Sequence, residues 1–213
     1  MQSRKVVTRS GRGFRGYFPS KKLNRMVQYE SLLERDAIYL FECSPGVNSY
    51  REQPELIFYE HEYQTRKYYP DFEVILTSGA IFHFEIKPTA RLANFQLLSK
   101  LVAIQTRYES HPATFKILTD TVIRQEPLFS NLKAISKLKK YGVDTSDIVK
   151  QVEAQLAKNV ECTFSEMAQL LGNTNTLLLL AQHKIFCDLN QPIYSSTNYI
   201  RIPRESDHDA VFF

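Results

Sequence analysis

Pro70-Asp71 and, after thirteen intervening residues, Glu85-Ile86-Lys87 bring two carboxylates and an amine into one short stretch of chain. Carboxylate oxygens are hard ligands that suit Mg²⁺ or Mn²⁺. A cation held by them can activate water and neutralise charge building on a phosphate. A lysine beside them can orient that water or stabilise the crowded phosphate. The chemistry that this set suits is hydrolysis of a phosphodiester.

Spacing alone is a weak signal, because acidic residues followed by Glu-x-Lys are common in charged chains. The strand register is a stronger one. Phe72, Val74 and Leu76 alternate with Asp71, Glu73 and Ile75, and Ile81, His83, Glu85 and Lys87 alternate with Phe82, Phe84 and Ile86. Both runs have the period of a half-buried strand. Thr77-Ser78-Gly79 fits a three-residue hairpin loop with Gly79 in the left-handed region. The loop then sets Leu76 opposite Ala80, Phe72 opposite Phe84, Val74 opposite Phe82, and Asp71 opposite Glu85. Opposed residues have Cβ atoms about 4.5–5.5 Å apart. Lys87 lies on the same face, about 7 Å further along the strand. A slip of one residue would bury the charges and expose the phenylalanines. Like charges across a ladder repel, so an uncompensated Asp71–Glu85 pair argues for a cation. The plain alternative is a hairpin with a polar, solvated face.

The elements that must position these residues follow from periodicity and punctuation. Residues 28–42 read as a helix stopped by Ser44-Pro45-Gly46. Strands are predicted over 47–53, 55–61, 67–76 and 80–87, a helix over 92–108, and a strand over 114–119. The last helix, between two strands, predicts a right-handed crossover and a parallel pair. Beyond Asp120 the pattern becomes helical: 128–141 ended by Gly142, 147–156, and 164–171 after a Thr163 cap. A Gly172 turn and a helix over 173–181 complete a helix-turn-helix. Ile185–Leu189 and Tyr199–Ile202 are read as a two-stranded wing. The domain reading is a basic arm (1–25), a catalytic domain (26–120) and a winged-helix-like domain (121–213).

The chain is 213 residues long, 43% hydrophobic and 23% charged, as ordinary globular proteins are. No apolar run approaches membrane-spanning length, and no apolar core follows the basic N-terminus as in a secretory signal. Cys43, Cys162 and Cys187 form no CxxC pair, which disfavours a zinc knuckle or a disulfide framework. A reducing cytoplasm is the expected setting, with no membrane partner. Of 27 Lys and Arg, eight lie in residues 1–25, which contain no acid; this leaves 19 against 23 acidic residues elsewhere. A basic arm carrying Phe14, Tyr17 and Phe18 suits contact with a polyanion; a solubilising tail is the alternative.

A third carboxylate precedes the strands. Ser31-x-x-Glu34 matches a helix capping box, and it also matches the leading helix of PD-(D/E)xK nucleases, which carries a Glu near the metal. With Arg15-Gly16, Phe18-Pro19-Ser20-Lys21, Tyr29-Glu30-Ser31-Leu-Leu-Glu34-Arg35-Asp36, Gln53-Pro54, Tyr69-Pro70-Asp71-Phe72 and Glu85-Ile86-Lys87-Pro88, residues 12–90 resemble the TnsA family, and the rest does so more weakly. TnsA proteins are endonuclease subunits of heteromeric transposases. The resemblance implies an α/β, restriction-endonuclease-like core followed by an α-helical, winged-helix-like domain. It implies cleavage of the 5′ strands of double-stranded DNA at transposon ends, beside a DDE-type transposase subunit and an AAA+ ATPase regulator. It implies Glu34, Asp71, Glu85 and the Ile86 carbonyl as ligands of Mg²⁺, for which Mn²⁺ substitutes, and Lys87 as the catalytic lysine.

Other residues carry weaker signals. His83 faces Glu73 across the hairpin, as a simple pair or an aid to proton transfer. Gln53 either lines the site or satisfies a turn. Arg66, Lys67 and Tyr68 hold phosphates or form a solvated edge. His61 and His111 are assigned nothing. The Leu177–Leu180 run reads as core or as a protein-docking surface. Two alternatives to the transposition nuclease stand: a stand-alone restriction or resolvase-like nuclease, and an inert DNA-binding adaptor.

Overall fold

The computed structural model describes residues 14–138, 143–158 and 161–213. Arg4, Lys5, Arg9 and Arg12 of the basic arm, and the Lys139–Gly142 end of the predicted 128–141 helix, lie outside the described residues. The chain forms two compact units, residues 1–124 with 211–213, and residues 125–210. Among the described residues, no helix is long and apolar enough to cross a membrane.

The first unit is mixed α/β. A hairpin of β1 (Gly16–Ser20) and β2 (Arg25–Tyr29) leads into α1 (Leu32–Cys43). This hairpin straddles the expected boundary at residue 25, and Phe18 is core, packed edge-on to Tyr39 at 5.2 Å. The helix therefore starts later than residue 28, at an Ser31 cap whose Oγ accepts the Glu34 N–H. Glu42 fixes the hairpin to the helix. It accepts from Ser20 Oγ and Tyr50 Oη at 2.7 Å each, and from the Lys21 and Lys22 amides at 3.0 Å.

The central sheet has the order β3-β6-β7-β8, with β3 (Val47–Glu52), β6 (Phe72–Leu76), β7 (Ile81–Lys87) and β8 (Thr114–Thr119). The β6–β7 register is the expected one: Phe72 pairs Phe84, Glu73 pairs His83 and Val74 pairs Phe82. Leu76 N–H donates to Ala80, and Gly79 has φ +85°. Helix α2 (Phe95–Tyr108) carries the chain from β7 to β8, and those strands are parallel as predicted.

The predicted strand over 67–76 is two strands. β5 (Gln64–Tyr68) pairs with β4 (Ile57–His61) in a separate hairpin, and β6 begins only after Tyr69-Pro70-Asp71. Proline 70 lacks the N–H that a continuous ladder would need. The break lets the β4–β5 hairpin fold over one sheet face, where Ile57, Tyr59 and Tyr68 form a core with Leu101, Ile104, Tyr108 and Phe115. The charged face of the hairpin, polar and solvated in the plain alternative, is thus buried, with His83 0%, Glu85 4% and Glu73 7% exposed. On the other face Phe41 of α1 lies 5.5 Å from both Phe72 and Phe84, with Phe213 against Phe41 and Phe84.

The second unit is helical, with α4 (Leu128–Leu138), α5 (Ser146–Lys158), α6 (Phe164–Leu171) and α7 (Asn173–Ala181); a one-turn α3 (Asp120–Ile123) closes the first unit. The Thr163 cap and the Gly172 turn, φ +84°, stand as read, and Glu166 completes a capping box with Thr163. The wing is reduced. Tyr199–Ile200 pairs with Cys162–Thr163, and only Phe186 bridges Arg201 in the 185–189 segment. Leu178, Leu179 and Leu180 are buried where α7 packs on α4 and α6, so they are core rather than a docking surface.

Phe41 joins α1 to the strands that carry Asp71 and Glu85. Phe41→Ala should destabilise the protein by about 3–5 kcal/mol, read by urea denaturation followed by far-ultraviolet circular dichroism.

Candidate active site

The site is assembled where β6 starts and β7 ends. Asp71 sits one residue before β6, and its amide donates to the Phe84 carbonyl at 2.9 Å, so the ladder continues past the strand end. Its Oδ2 accepts the Ile86 N–H at 2.7 Å. The backbone of the Glu85-Ile86-Lys87 motif thereby holds the Asp71 carboxylate directly. Gln53, at φ +42°, donates its N–H to the Asp71 carbonyl at 3.0 Å and fixes the same residue from the β3 side.

Lys87 lies among these oxygens. Its ammonium is 2.6 Å from Glu85 Oε1, 3.6 Å from Asp71 Oδ2 and 3.2 Å from the Ile86 carbonyl. The sequence suggested an uncompensated carboxylate pair; the structure compensates it with a cation from the same motif. Three of the expected metal-binding oxygens therefore converge on one positive centre. The second Glu85 oxygen accepts the Tyr68 hydroxyl at 2.7 Å, and Lys100 of α2 lies 5.6 Å from the Tyr68 ring centre.

Glu34 stands at the start of α1. Its carboxylate accepts from Glu30 N–H at 2.7 Å and from Ser31 Oγ at 3.0 Å, so it serves the helix cap. It also interacts electrostatically with both Asp71 and Lys87. The two readings of Glu34 are compatible, because the carboxylate that serves the cap also acts electrostatically on Asp71 and Lys87. Glu34, Asp71 and Glu85 do not close to within 4.8 Å of one another. Among the described residues, the His, Cys, Asp and Glu group that does so is Glu55, His83 and His111.

Burial dominates the electrostatics. It pushes the Asp71 carboxyl well above the ordinary range, and the neighbouring Glu85 pushes further, against the pull of Lys87. Burial also raises Glu34, against its hydrogen bonds from Glu30 and Ser31. For Lys87, burial alone would lower the pKa, but Asp71 and Glu85 outweigh it and hold the ammonium above its usual value. Tyr68 is raised well above a free phenol, by burial and then by Glu85.

Oxygen donors are the chemistry that suits Mg²⁺ or Mn²⁺, and here the Lys87 ammonium lies among them. Sequence reasoning missed Lys100, and it read Tyr68 as a phosphate contact or a solvated edge residue rather than as the partner of Glu85. The Tyr68 hydroxyl reaches Glu85 only because β5 leaves the central sheet, which local periodicity does not encode. Of the residues read as phosphate contacts, Arg66 instead pairs with Glu62 at 2.6 Å. His83 forms the simple pair with Glu73, Nε2 to Oε2 at 3.1 Å.

No family model matches the chain, and no curated protein matches it.

Because the folded Asp71 carboxyl binds its proton more tightly than the unfolded one, ionising it costs stability above the unfolded pKa of about 3.9. Asp71→Asn keeps an oxygen for the Ile86 N–H and removes the charge. In chelator at pH 7 it should melt at a higher temperature than the unmodified protein. The gain should shrink as pH falls towards the ordinary aspartate range, where both proteins are neutral at this position. Differential scanning calorimetry across that range checks the sign.

Proposed function

We propose that this chain is a Mg²⁺-dependent DNA endonuclease of the TnsA type, cutting the 5′ strands at transposon ends inside a heteromeric transposition complex. One observation carries the reading: Asp71 Oδ2, Glu85 Oε1 and the Ile86 carbonyl converge on the Lys87 ammonium. That is the donor set and the lysine that a PD-(D/E)xK nuclease requires, in the order that the TnsA resemblance implies. The architecture supports it: a helix bearing Glu34, an antiparallel β3-β6-β7 ribbon, and a crossover helix to a parallel strand. We read this unit as a restriction-endonuclease-like core.

In this reading Asp71, Glu85 and the Ile86 carbonyl would hold Mg²⁺, with Glu34 adding negative charge beside them. Bound there, the ion supplies an activated water and neutralises charge on the scissile phosphate. Asp71 is held in place by the Ile86 N–H, so the ligand and the motif backbone move as one piece. Tyr68 fixes the outer oxygen of Glu85 and leaves the inner one facing the site. Lys87, relieved of neutralising the carboxylates, presents its ammonium to the phosphate, where negative charge grows in the transition state. The partners in this reading are a DDE-type transposase, which positions the end, and an AAA+ ATPase, which regulates both.

The test is strand cleavage on DNA carrying the element's own ends, with Mg²⁺ or Mn²⁺ and with or without the transposase subunit. Asp71→Ala should abolish cutting, while Lys87→Ala should keep cation binding by calorimetry and lose at least about a hundredfold in rate, as expected for a lost transition-state contact. Cleavage by Asp71→Ala at the unmodified rate overturns the site. Robust sequence-specific cutting by the lone protein favours a stand-alone restriction-type nuclease instead.

A further inference from the structure

Two residues before Glu85 on the same face of β7, a second polar cluster is buried that the nuclease reading does not use. It joins three separate segments: His83 of β7, Glu55 in the connection between β3 and β4, and His111 in the turn after α2. We propose that Glu55, His83 and His111 form a Zn²⁺-class metal site, distinct in position and donor chemistry from the oxygen-only site at Asp71 and Glu85.

Two of the three donor separations are close to those that an ion requires. Glu55 Oε1 lies 3.7 Å from His83 Nε2 and 3.4 Å from His111 Nε2, and all three donor atoms fall within 4.8 Å of one another. A tetrahedral ion with bonds of about 2.0–2.2 Å separates its ligand atoms by about 3.3–3.6 Å. Two imidazoles and one carboxylate are a set that Zn²⁺ takes, with a fourth position left for water. Nitrogen donors disfavour Mg²⁺ and favour Zn²⁺ or its neighbours in the first transition row. His83 is fully buried, while the Glu55 side chain is 45% exposed, so the site has an anchored floor and an open rim.

The surroundings suit ligation. His83 Nδ1 is 2.7 Å from the Tyr108 hydroxyl, a group that donates or accepts. Ligation through Nε2 would move the ring proton to Nδ1, where the Tyr108 hydroxyl accepts it, and would exchange the bond from Nε2 to Glu73 for a coordination bond; the tyrosine then sets the ring orientation as outer partners of metal-bound histidines do. Glu73 also lies 3.1 Å from His83 Nε2, but Arg51 holds both of its oxygens, at 2.7 and 3.0 Å. His111 Nδ1 accepts the Ala113 N–H at 3.0 Å. Ligation through its Nε2 moves the ring proton to Nδ1 and exchanges that hydrogen bond for a coordination bond. Closure of this site would tie the turn after α2 and the β3–β4 connection to the strand that carries Glu85 and Lys87.

The experiment uses the full chain carrying Asp71→Ala, so that ions at the nuclease site do not contribute. Zn²⁺ is titrated by calorimetry, and Co²⁺ by its visible absorption, in the absence of Mg²⁺. We expect one equivalent of Zn²⁺ and the intense absorption of four-coordinate Co²⁺. Adding Tyr108→Phe should weaken Zn²⁺ binding by about 10–100-fold, the usual effect of losing an outer partner. Adding His111→Ala or Glu55→Gln, both at partly exposed positions, should weaken it further and remove the Co²⁺ spectrum, with circular dichroism unchanged. Absence of Zn²⁺ binding by the folded protein overturns the assignment. So does binding that His111→Ala and Glu55→Gln leave intact, which places the ion elsewhere. Neither result bears on cleavage at Asp71, because the readouts are metal affinity and coordination.

Discussion

Burying Asp71 and Glu85 side by side is unfavourable twice over, through lost hydration and through mutual repulsion. The Lys87 ammonium, 2.6 Å from one carboxylate and 3.6 Å from the other, makes the arrangement tolerable. Much of the first unit serves that contact. The β6–β7 register brings the carboxylates together, and the Ile86 N–H holds Asp71 in line. Phe41 clamps the opposite face of the same strands through Phe72 and Phe84. The β4–β5 hairpin supplies Tyr68, which satisfies the remaining oxygen of Glu85. A one-residue slip would undo all of these contacts, since it would turn the apolar rings and the charged groups to the wrong faces.

The face that bears this chemistry holds two polar networks with different donors. At the end of β7 are oxygens and an ammonium; two residues back are imidazoles, with Glu73 tied to Arg51. Arginine grips Glu73 through two parallel hydrogen bonds, a geometry that favours a permanent pair. It takes that carboxylate out of contention as a free ligand, and burial does not prevent its pKa from being held down at about 2, because the hydrogen bonds from His83 and Arg51 prevail. Glu85 has a more labile partner in Lys87. The contrast separates a carboxylate fixed for structure from one kept for exchange.

The hairpin register was legible because three local signals agree: strict alternation from Phe72 to Leu76, alternation from Ile81 to Lys87, and a glycine where the turn needs φ above zero. The crossover to β8 was legible because a helix between two strands has few places to go. What escaped depends on residues distant in sequence. The burial of His83 and Glu85 requires a cover built from β4, β5 and α2, and alternation looks the same whether the second face meets water or a folded hairpin. His111 is unremarkable in its own segment; only the turn after α2 brings it to His83, with ring centres 5.4 Å apart. The Leu177–Leu180 run offered both core and interface, and packing against α4 and α6 makes Leu178, Leu179 and Leu180 core. Ser31-x-x-Glu34 offered both a cap and a ligand, and there one carboxylate serves the cap while its charge acts on the site.

That dual use of Glu34 explains how a helix terminus and the candidate site can share a residue without conflict. An acidic group at a helix N-terminus is favoured by the unpaired amides and the helix dipole. Burial works against its ionisation, and raises its pKa despite the hydrogen bonds from Glu30 and Ser31. Lys87 pulls in the opposite direction, towards the charged form. The lysine is thus linked to three carboxylates rather than two, and its own pKa is raised by Asp71, Glu85 and Glu34 together. Any positive group that took over the task of neutralising those oxygens would free the ammonium at the same moment. Lysine suits this better than arginine, because a compact ammonium on a flexible stem leaves a carboxylate pair more readily than a bidentate guanidinium does. In the proposed nuclease the same side chain would therefore hold the site together before cleavage and be available to the phosphate during it.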